Sequence, residues 1–505
     1  MFFAVALVLL APLVLGVIDI YMSTAQRARL QDALDASALY AARNNATDAD
    51  TIQALGERAL NANLSTADQG RIVSSSFVLS GSTIQASAVV RPDSVASDLW
   101  THGNMTVSTS VVRASSNLEV ALVLDITGSM SNDMTALKAA ANDLINMIVQ
   151  DVQTPYYTKL AIVPYSNSVN IGSTYMTNVR GAVPAAKTIT SASRSSSGGN
   201  YYVTFNSTAH GFAVNDYVYI TGVTNMTNVN NKAFQITSKT ANAFTVLYGT
   251  SNPGTSSGTG GQATCTTYGC SYYRFTRNDN QVDVFSASTA CVTERTGSDR
   301  YTDTAPSTSK VAFKYSKTLN DCPSTSAVPL STDKTALHTV VNSLTDGGST
   351  AGHIGLAWGW YMVSPNFGYL WSNANSRPAA YGTEHLLKVV ILMTDGDFNT
   401  AYCNGVVAKN SGTGSGSNSN KINCNANNAV STTQATSLCT NMKATGKDII
   451  IYTVGFRITA GSAQANLLSG CATDSTHEYL PASGQDLQDA FRAIGQDINS
   501  LRLAH

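Results

Sequence analysis

The chain has 505 residues, of which 12% are charged, and a formal net charge of −1. Its length exceeds what one hydrophobic core usually supports, so two or more domains are expected. The near-neutral balance excludes the basic surplus of a nucleic-acid binder and the acidic surplus of a solvating tail. Ser, Thr, Asn and Gly carry the polarity instead, as is common in envelope and extracellular proteins.

Phe2 to Met22 is apolar except for Asp19, the length of a transmembrane helix of roughly 20 residues. Pro12 and Gly16 are tolerated in such a helix. A cleaved signal peptide is the rival reading, with the small residues of Met22 to Ala25 as the cleavage site, but the helical pattern runs on without a break. No Lys or Arg precedes the span and Arg27 and Arg29 follow it, which the positive-inside rule does not favour for a cytoplasmic N-terminus. The cysteines further on need an oxidising side, so a cytoplasmic N-terminus is expected all the same, with the true start upstream.

Leu30, Ala33, Leu34, Ala38 and Ala41 recur at helical spacing, as do Ile52, Leu55, Ala59 and Ala62 in a second helix. Alternating strands follow over 72–79, 84–90 and 105–112, with a turn at 80–82. This gives a pilin-like α+β region over 23–113, after the anchor at 1–22. From Asn117 strands alternate with helices. Strand 118–125 leads into helix 131–149, then come strand 159–164, helices 333–344 and 352–363, strand 386–394, helix 431–444 and strand 448–456. The last helix carries Leu487, Phe491, Ile494, Ile498 and Leu501 on one face. That order predicts an α/β fold over 117–505, Rossmann-like, with a mainly parallel sheet and helices on both faces.

Residues 187–264 interrupt it with an all-β pattern: short strands over 201–205, 216–220, 233–239 and 243–247. A small inserted barrel is expected there, in a loop that tolerates it. The Ser/Gly-rich stretches 192–199 and 251–262 read as linkers, and 409–422 as a flexible loop.

All eight cysteines follow residue 260: Cys265, Cys270, Cys291, Cys322, Cys403, Cys424, Cys439 and Cys471. None forms a Cys-x-x-Cys pair, which argues against structural zinc. An even number in loop-rich regions argues for disulfides in an oxidising compartment. Neighbour pairing is the simplest scheme; the sequence leaves the connectivity open.

Three separated pieces carry the chemistry. Asp125-Ile126-Thr127-Gly128-Ser129 follows an apolar strand, Thr350 sits just ahead of a helix, and Asp395 ends another apolar strand. In open α/β sheets ligands bind beyond the carboxyl ends of the strands, where both aspartates would stand. Two carboxylates and three hydroxyls suit a hard cation, which wants about six oxygens and keeps some of its waters. Each piece alone is better explained by turn and helix-cap chemistry; all three in order favour one cation, Mg2+ first, with Mn2+ or Ca2+ as alternatives.

The three pieces resemble the metal-ion-dependent adhesion site of von Willebrand factor type A domains. That resemblance implies Ser129 and Thr350 as direct ligands, Asp125 and Asp395 binding directly or through water, and an open place for an acidic side chain from a protein partner. The usual first motif reads Asp-x-Ser-x-Ser; Thr127 here keeps the hydroxyl and adds a methyl. The stretch Ile18–Ala42, with Arg29-Leu-Gln-Asp-Ala-Leu-Asp35-Ala-Ser-Ala, resembles the N-terminus of TadG-like proteins of the tight-adherence (Flp) pilus system, which place a von Willebrand A domain after this anchor. Segment 209–236 resembles small β modules similar to the first catalytic-cysteine half-domain of ubiquitin-activating enzymes.

The resemblance implies a single-pass bacterial inner-membrane protein with its bulk in the periplasm or envelope, capturing other pilus components through the metal. The alternative is a structural adhesin in which the metal only braces loops and the β insert makes the contacts. A hydrolase triad of Ser129, His353 and Asp395 is the enzymatic reading, but Ser129 lacks a Gly-x-Ser-x-Gly elbow, so no enzyme is expected.

Overall fold

Leu118 to Leu124 is apolar except for Glu119, and in the computed structural model it becomes β1, Asn117–Asp125, inside a ten-stranded sheet. The structure describes residues 2–44, 46, 48–80, 83–94, 103–112, 116–154, 156–317 and 320–504, with the backbone alone for 2–13 and 503–504. β1 pairs in parallel with β2 (Thr158–Tyr165) and with β3 (Leu386–Thr394). β3 pairs in parallel with β4 (Ile450–Gly455), and β4 with the short strand Glu478–Tyr479. A run buried on both faces is what a central parallel strand requires. Leu118, Val120, Leu122 and Leu124 enter one buried cluster, while Ala121 and Val123 enter the other. The first cluster is capped by α1 (Met134–Ile148) and the second by α2 (Gly352–Val363). The last helix, α3 (Gly484–Ala504), packs on α1 and sends Leu487, Phe491, Ile494 and Ile498 into the first cluster.

The expectation of a mainly parallel sheet needs correcting. Five strands are parallel neighbours, and the other five join antiparallel through Val169–Asn170, Tyr272–Thr276, Val282–Arg295, Val311–Ser316 and Val328–Ser331. The sheet is therefore mixed, with an antiparallel wing on the β2 side.

α2 is buried all round and lies flush on the sheet through glycines. A Cβ on Gly355 would sit 2.5 Å from the Tyr165 ring, and one on Gly359 2.5 Å from Val123. Gly359→Ala is therefore expected to overpack this interface and lose about 1–3 kcal/mol, read as a lower urea midpoint. An unchanged midpoint would mean that the helix can lift off at no cost.

Two further bodies have cores of their own. The helices Phe2–Arg43 and Ala49–Asn63 cover a three-stranded antiparallel sheet, Ile72–Ser80, Thr83–Val90 and Met105–Val112, around Leu34, Ile52, Phe77 and Ile84. The predicted turn at 80–82 falls mostly outside the described residues. Among the described residues no helix is long and apolar enough to cross a membrane; the expected anchor, 1–22, falls largely on positions whose side chains lie outside the description.

The segment 187–265 forms an eight-stranded antiparallel sheet around Val203, Phe205, Val218, Ile220, Phe244 and Val246. Its first strand, Lys187–Thr188, pairs with its last, Gln262–Cys265, so the chain enters and leaves side by side. The linker expected at 192–199 is instead mostly strand: Ser191–Ser197 pairs along its whole length with Asn200–Asn206. Within 251–262, Ser257–Thr259 likewise pairs with it.

The loop expected over 409–422 is tied down. Lys421–Ile422 pairs with Val406–Ala408, and Ser415 accepts a hydrogen bond from Asn320. Disulfides join Cys265 to Cys270, Cys291 to Cys322, Cys403 to Cys424 and Cys439 to Cys471.

Candidate metal centre

β1 and β3 end side by side, which brings Asp125 and Asp395 to one rim of the sheet. Asp125 is fully buried. Its Oδ1 accepts from the Thr127 backbone N–H at 2.9 Å, closing the turn that starts a 3-10 segment, Gly128–Asn132. That segment is why α1 begins at Met134 rather than at 131. Its Oδ2 accepts from the Thr394 hydroxyl at 2.8 Å and the Tyr165 hydroxyl at 3.1 Å. The Thr127 and Ser129 hydroxyls are 3.0 Å apart, and Ser129 donates to Asp395 Oδ1 at 2.8 Å. Four of the five expected residues thus form one hydrogen-bonded group.

Thr350 arrives on a loop sewn to the first. The Gly128 N–H donates to the Gly348 carbonyl at 3.1 Å, and the Gly347 N–H to the Ile126 carbonyl at 2.9 Å. Gly348 has φ +84°, and a Cβ there would meet Asn167 Nδ2 at 2.8 Å, so the loop needs glycine at this point. Asn399, four residues beyond Asp395, accepts from the Thr350 N–H at 2.9 Å and returns its own N–H to the Thr350 carbonyl. The Thr350 side chain is buried, and among the described residues no hydrogen bond joins its hydroxyl to the other four.

Burial first, and then the charge of Asp395, push the Asp125 carboxyl up to about 6. Burial also raises Asp395, against the pull of the Ser129 hydrogen bond. Among the described residues neither carboxylate is paired with Lys, Arg or His, and no three His, Cys, Asp or Glu side chains cluster as metal ligands. The oxygen set is two carboxylates and hydroxyls, which suits a hard cation rather than zinc.

Sequence reasoning missed Tyr165, Thr394 and Asn399. Thr394 could have been marked by its place beside Asp395, whereas Tyr165 and Asn399 carry no local signal. His353 is placed elsewhere: its ring nitrogens meet Glu294 Oε2 at 2.6 Å and Ser431 Oγ at 2.5 Å. Both are therefore occupied away from Ser129, and the imagined triad is not assembled.

Residues 1–44 match the model of the putative Flp pilus-assembly TadE/G-like family, and residues 200–266 match the FCCH domain of ubiquitin-activating enzyme E1. The N-terminal likeness to Tad-system proteins therefore stands. No curated protein matches the chain by sequence. Among solved structures, the von Willebrand domain of the type V pili tip protein Mfa5 from Porphyromonas gingivalis is similar at 10% identity. It covers 77% of this chain and 97% of that one, with a TM-score of 0.34. The pilus adhesin SpaC from Lactobacillus rhamnosus GG is similar at 11% identity over 85% of this chain, TM-score 0.32, but the alignment spans only 34% of that protein. Proximal thread matrix protein 1 from the mussel byssus, described with a zinc-occupied MIDAS motif, is similar at 10% identity, TM-score 0.28, over 76% of this chain and 46% of that one.

Proposed function

We propose that Asp125, Thr127, Ser129, Thr350 and Asp395 hold one divalent cation, Mg2+ in the first instance, and that this cation captures an acidic side chain of a protein partner. The observation that carries the reading is the pair of carboxylates, one of them fully buried, with two hydroxyls between them and, among the described residues, no cationic side chain paired with either. Uncompensated carboxylates in such a place are costly, and a cation removes that cost. Hydroxyls contribute oxygens without charge, so a bound divalent ion keeps an attraction for a further carboxylate. The loops are already joined by backbone hydrogen bonds, so bracing alone gives the ion little to do.

The N-terminal match and the anchor-like residues 1–22 support a place in a Tad/Flp pilus system: a single-pass inner-membrane protein with residues 23–505 in the periplasm or envelope, holding other pilus components. In this reading 23–113 is a pilin-like spacer, 117–505 the von Willebrand A domain, and 187–264 a small β-barrel inserted in it. Titration of Mg2+ and Mn2+ into the protein by calorimetry is expected to show one saturable ion, absent in Asp125→Ala. Partner capture should disappear with it. Capture that persists without metal would defeat the mechanism and leave the insert as the contact surface.

A further inference from the structure

A cleft of about 760 Å³ lies between the outer face of the inserted sheet and the hairpin made by Tyr272–Thr276 and Val282–Arg295. We propose that this cleft binds an acidic oligosaccharide, at a site separate from the metal centre. Its volume falls in the range of small-ligand sites. Tyr217 and Tyr219 stand on one face of their strand because Val218 and Ile220 fill the module's core. Across the cleft Tyr272 stacks on Tyr219 with centroids 4.0 Å apart, and the Arg274 guanidinium lies 3.7 Å from the Tyr217 ring centroid. These two contacts form the floor. Tyr248, stacked with Phe234, stands on the wall beneath Lys232, whose Nζ is 5.4 Å from its ring centroid.

With the Tyr219 and Tyr217 ring faces taken up by Tyr272 and Arg274, a ligand meets the edges of these rings, and the Gln235 and Asn231 amides in the same lining suit the hydroxyl groups of sugar units. Charge decides the class of sugar. The lining holds Lys232, Arg274 and Lys317 against one carboxylate, Asp283. Asp283 is already held by Arg277 at 3.0 Å and Lys317 at 3.2 Å. Among the described residues no hydrogen bond or ion pair engages the Arg274 guanidinium or the Lys232 ammonium; both rest on aromatic rings with their donors free. A guanidinium held flat on a ring still offers its edge to a carboxylate with both donors. The strand Tyr217–Thr221 is paired on both sides, so this wall leaves no edge for a peptide backbone to join.

The test is calorimetric titration of the full chain, kept in detergent with EDTA, using a galacturonic-acid oligomer as probe and a neutral glucose oligomer of equal length as control. Saturable binding of the acidic oligomer is expected, weakened by salt and reduced roughly tenfold or more by Arg274→Gln and by Lys232→Glu, as loss of a charged contact predicts. Circular dichroism checks folding; if Arg274→Gln fails to fold, the exposed Lys232→Glu decides. The proposal is overturned by no binding at millimolar probe, by equal binding of the neutral oligomer, or by binding that both substitutions leave unchanged. Binding that appears only when Mg2+ replaces EDTA would place the sugar at the metal centre and also overturn it, whereas loss of Mg2+ binding alone touches only the metal reading.

Discussion

In EDTA at pH 8, Asp125→Asn is expected to be more stable than the wild type, and Mg2+ is expected to reverse the order. The Asp125 carboxyl is raised from 3.8 to about 6 in the folded, metal-free protein. The folded state therefore holds that proton more tightly than the unfolded chain does. Below about pH 4 both states carry the proton and nothing is lost; as pH climbs towards 6 the metal-free fold loses stability, and above 6 the loss is complete. A shift of roughly two units corresponds to a loss on the order of 3 kcal/mol.

Asparagine removes the charge, keeps an acceptor for the Thr127 N–H, and lets the Thr394 and Tyr165 hydroxyls turn to accept from its amide. Wild type should gain about 4.1 kcal/mol when Mg2+ is about 1,000-fold above its Kd, enough to outweigh that loss, and the variant should gain nothing. Urea midpoints at pH 5 and pH 8, with and without Mg2+, measure all of this. If Mg2+ leaves the wild type unmoved and Asp125→Asn is weaker under every condition, the pocket is an ordinary buried turn.

The second large effect is expected at the other end of β1. Glu119 and Lys388 are opposite each other in the β1–β3 register and almost fully buried, with Nζ 2.5 Å from Oε2. Glu119 Oε1 also accepts from Tyr157 and the Ala379 N–H, and Lys388 donates to the Val363 carbonyl at the end of α2. The pair thus fixes the register of two central strands and the end of the helix lying on them. Removing either partner leaves a charge buried without compensation, so Glu119→Gln and Lys388→Met should each cost roughly 3–5 kcal/mol. The double variant should cost clearly less than the sum, because it strands no charge. Trp358, Trp360 and Trp371 lie in the adjoining core, so tryptophan fluorescence during urea unfolding reports on this body directly. Additive losses would show that the two side chains act independently.

Much of the parallel half was legible because its physics is local. The runs at 118–124, apolar but for Glu119, and at 389–393 read as strands covered on both faces, and the helices between them have clear periodicity. Of the centre, Asp125, Thr127, Ser129 and Asp395 could be grouped from their places after such runs, and the structure brings those four together. The antiparallel wing was not legible. Val282–Arg295 is one long strand whose register shifts twice against Val311–Ser316, so its alternation of polar and apolar residues is broken. Ser191–Ser197 hid for another reason. Only Ala192 of its side chains is buried, and the rest is serine and arginine facing outward; its pairing is carried by the backbone, which composition does not reveal. Tyr165 and Asn399 reach the centre only through tertiary placement, from β2 and from the chain beyond β3.

The antiparallel pairing of Lys187–Thr188 with Gln262–Cys265 has one more consequence. To the surrounding sheet, everything between these two short strands amounts to a tight hairpin, since its ends are already held together by their own ladder and the Cys265–Cys270 crosslink follows at once. Loop-closure entropy for the host is then set by that junction and not by the seventy-odd residues beyond it. Apart from the contacts of Tyr219 with Tyr272 and of Tyr217 with Arg274, the module behaves as a cassette: the rest of its outer surface can be rewritten without altering the folding problem that the host sheet has to solve.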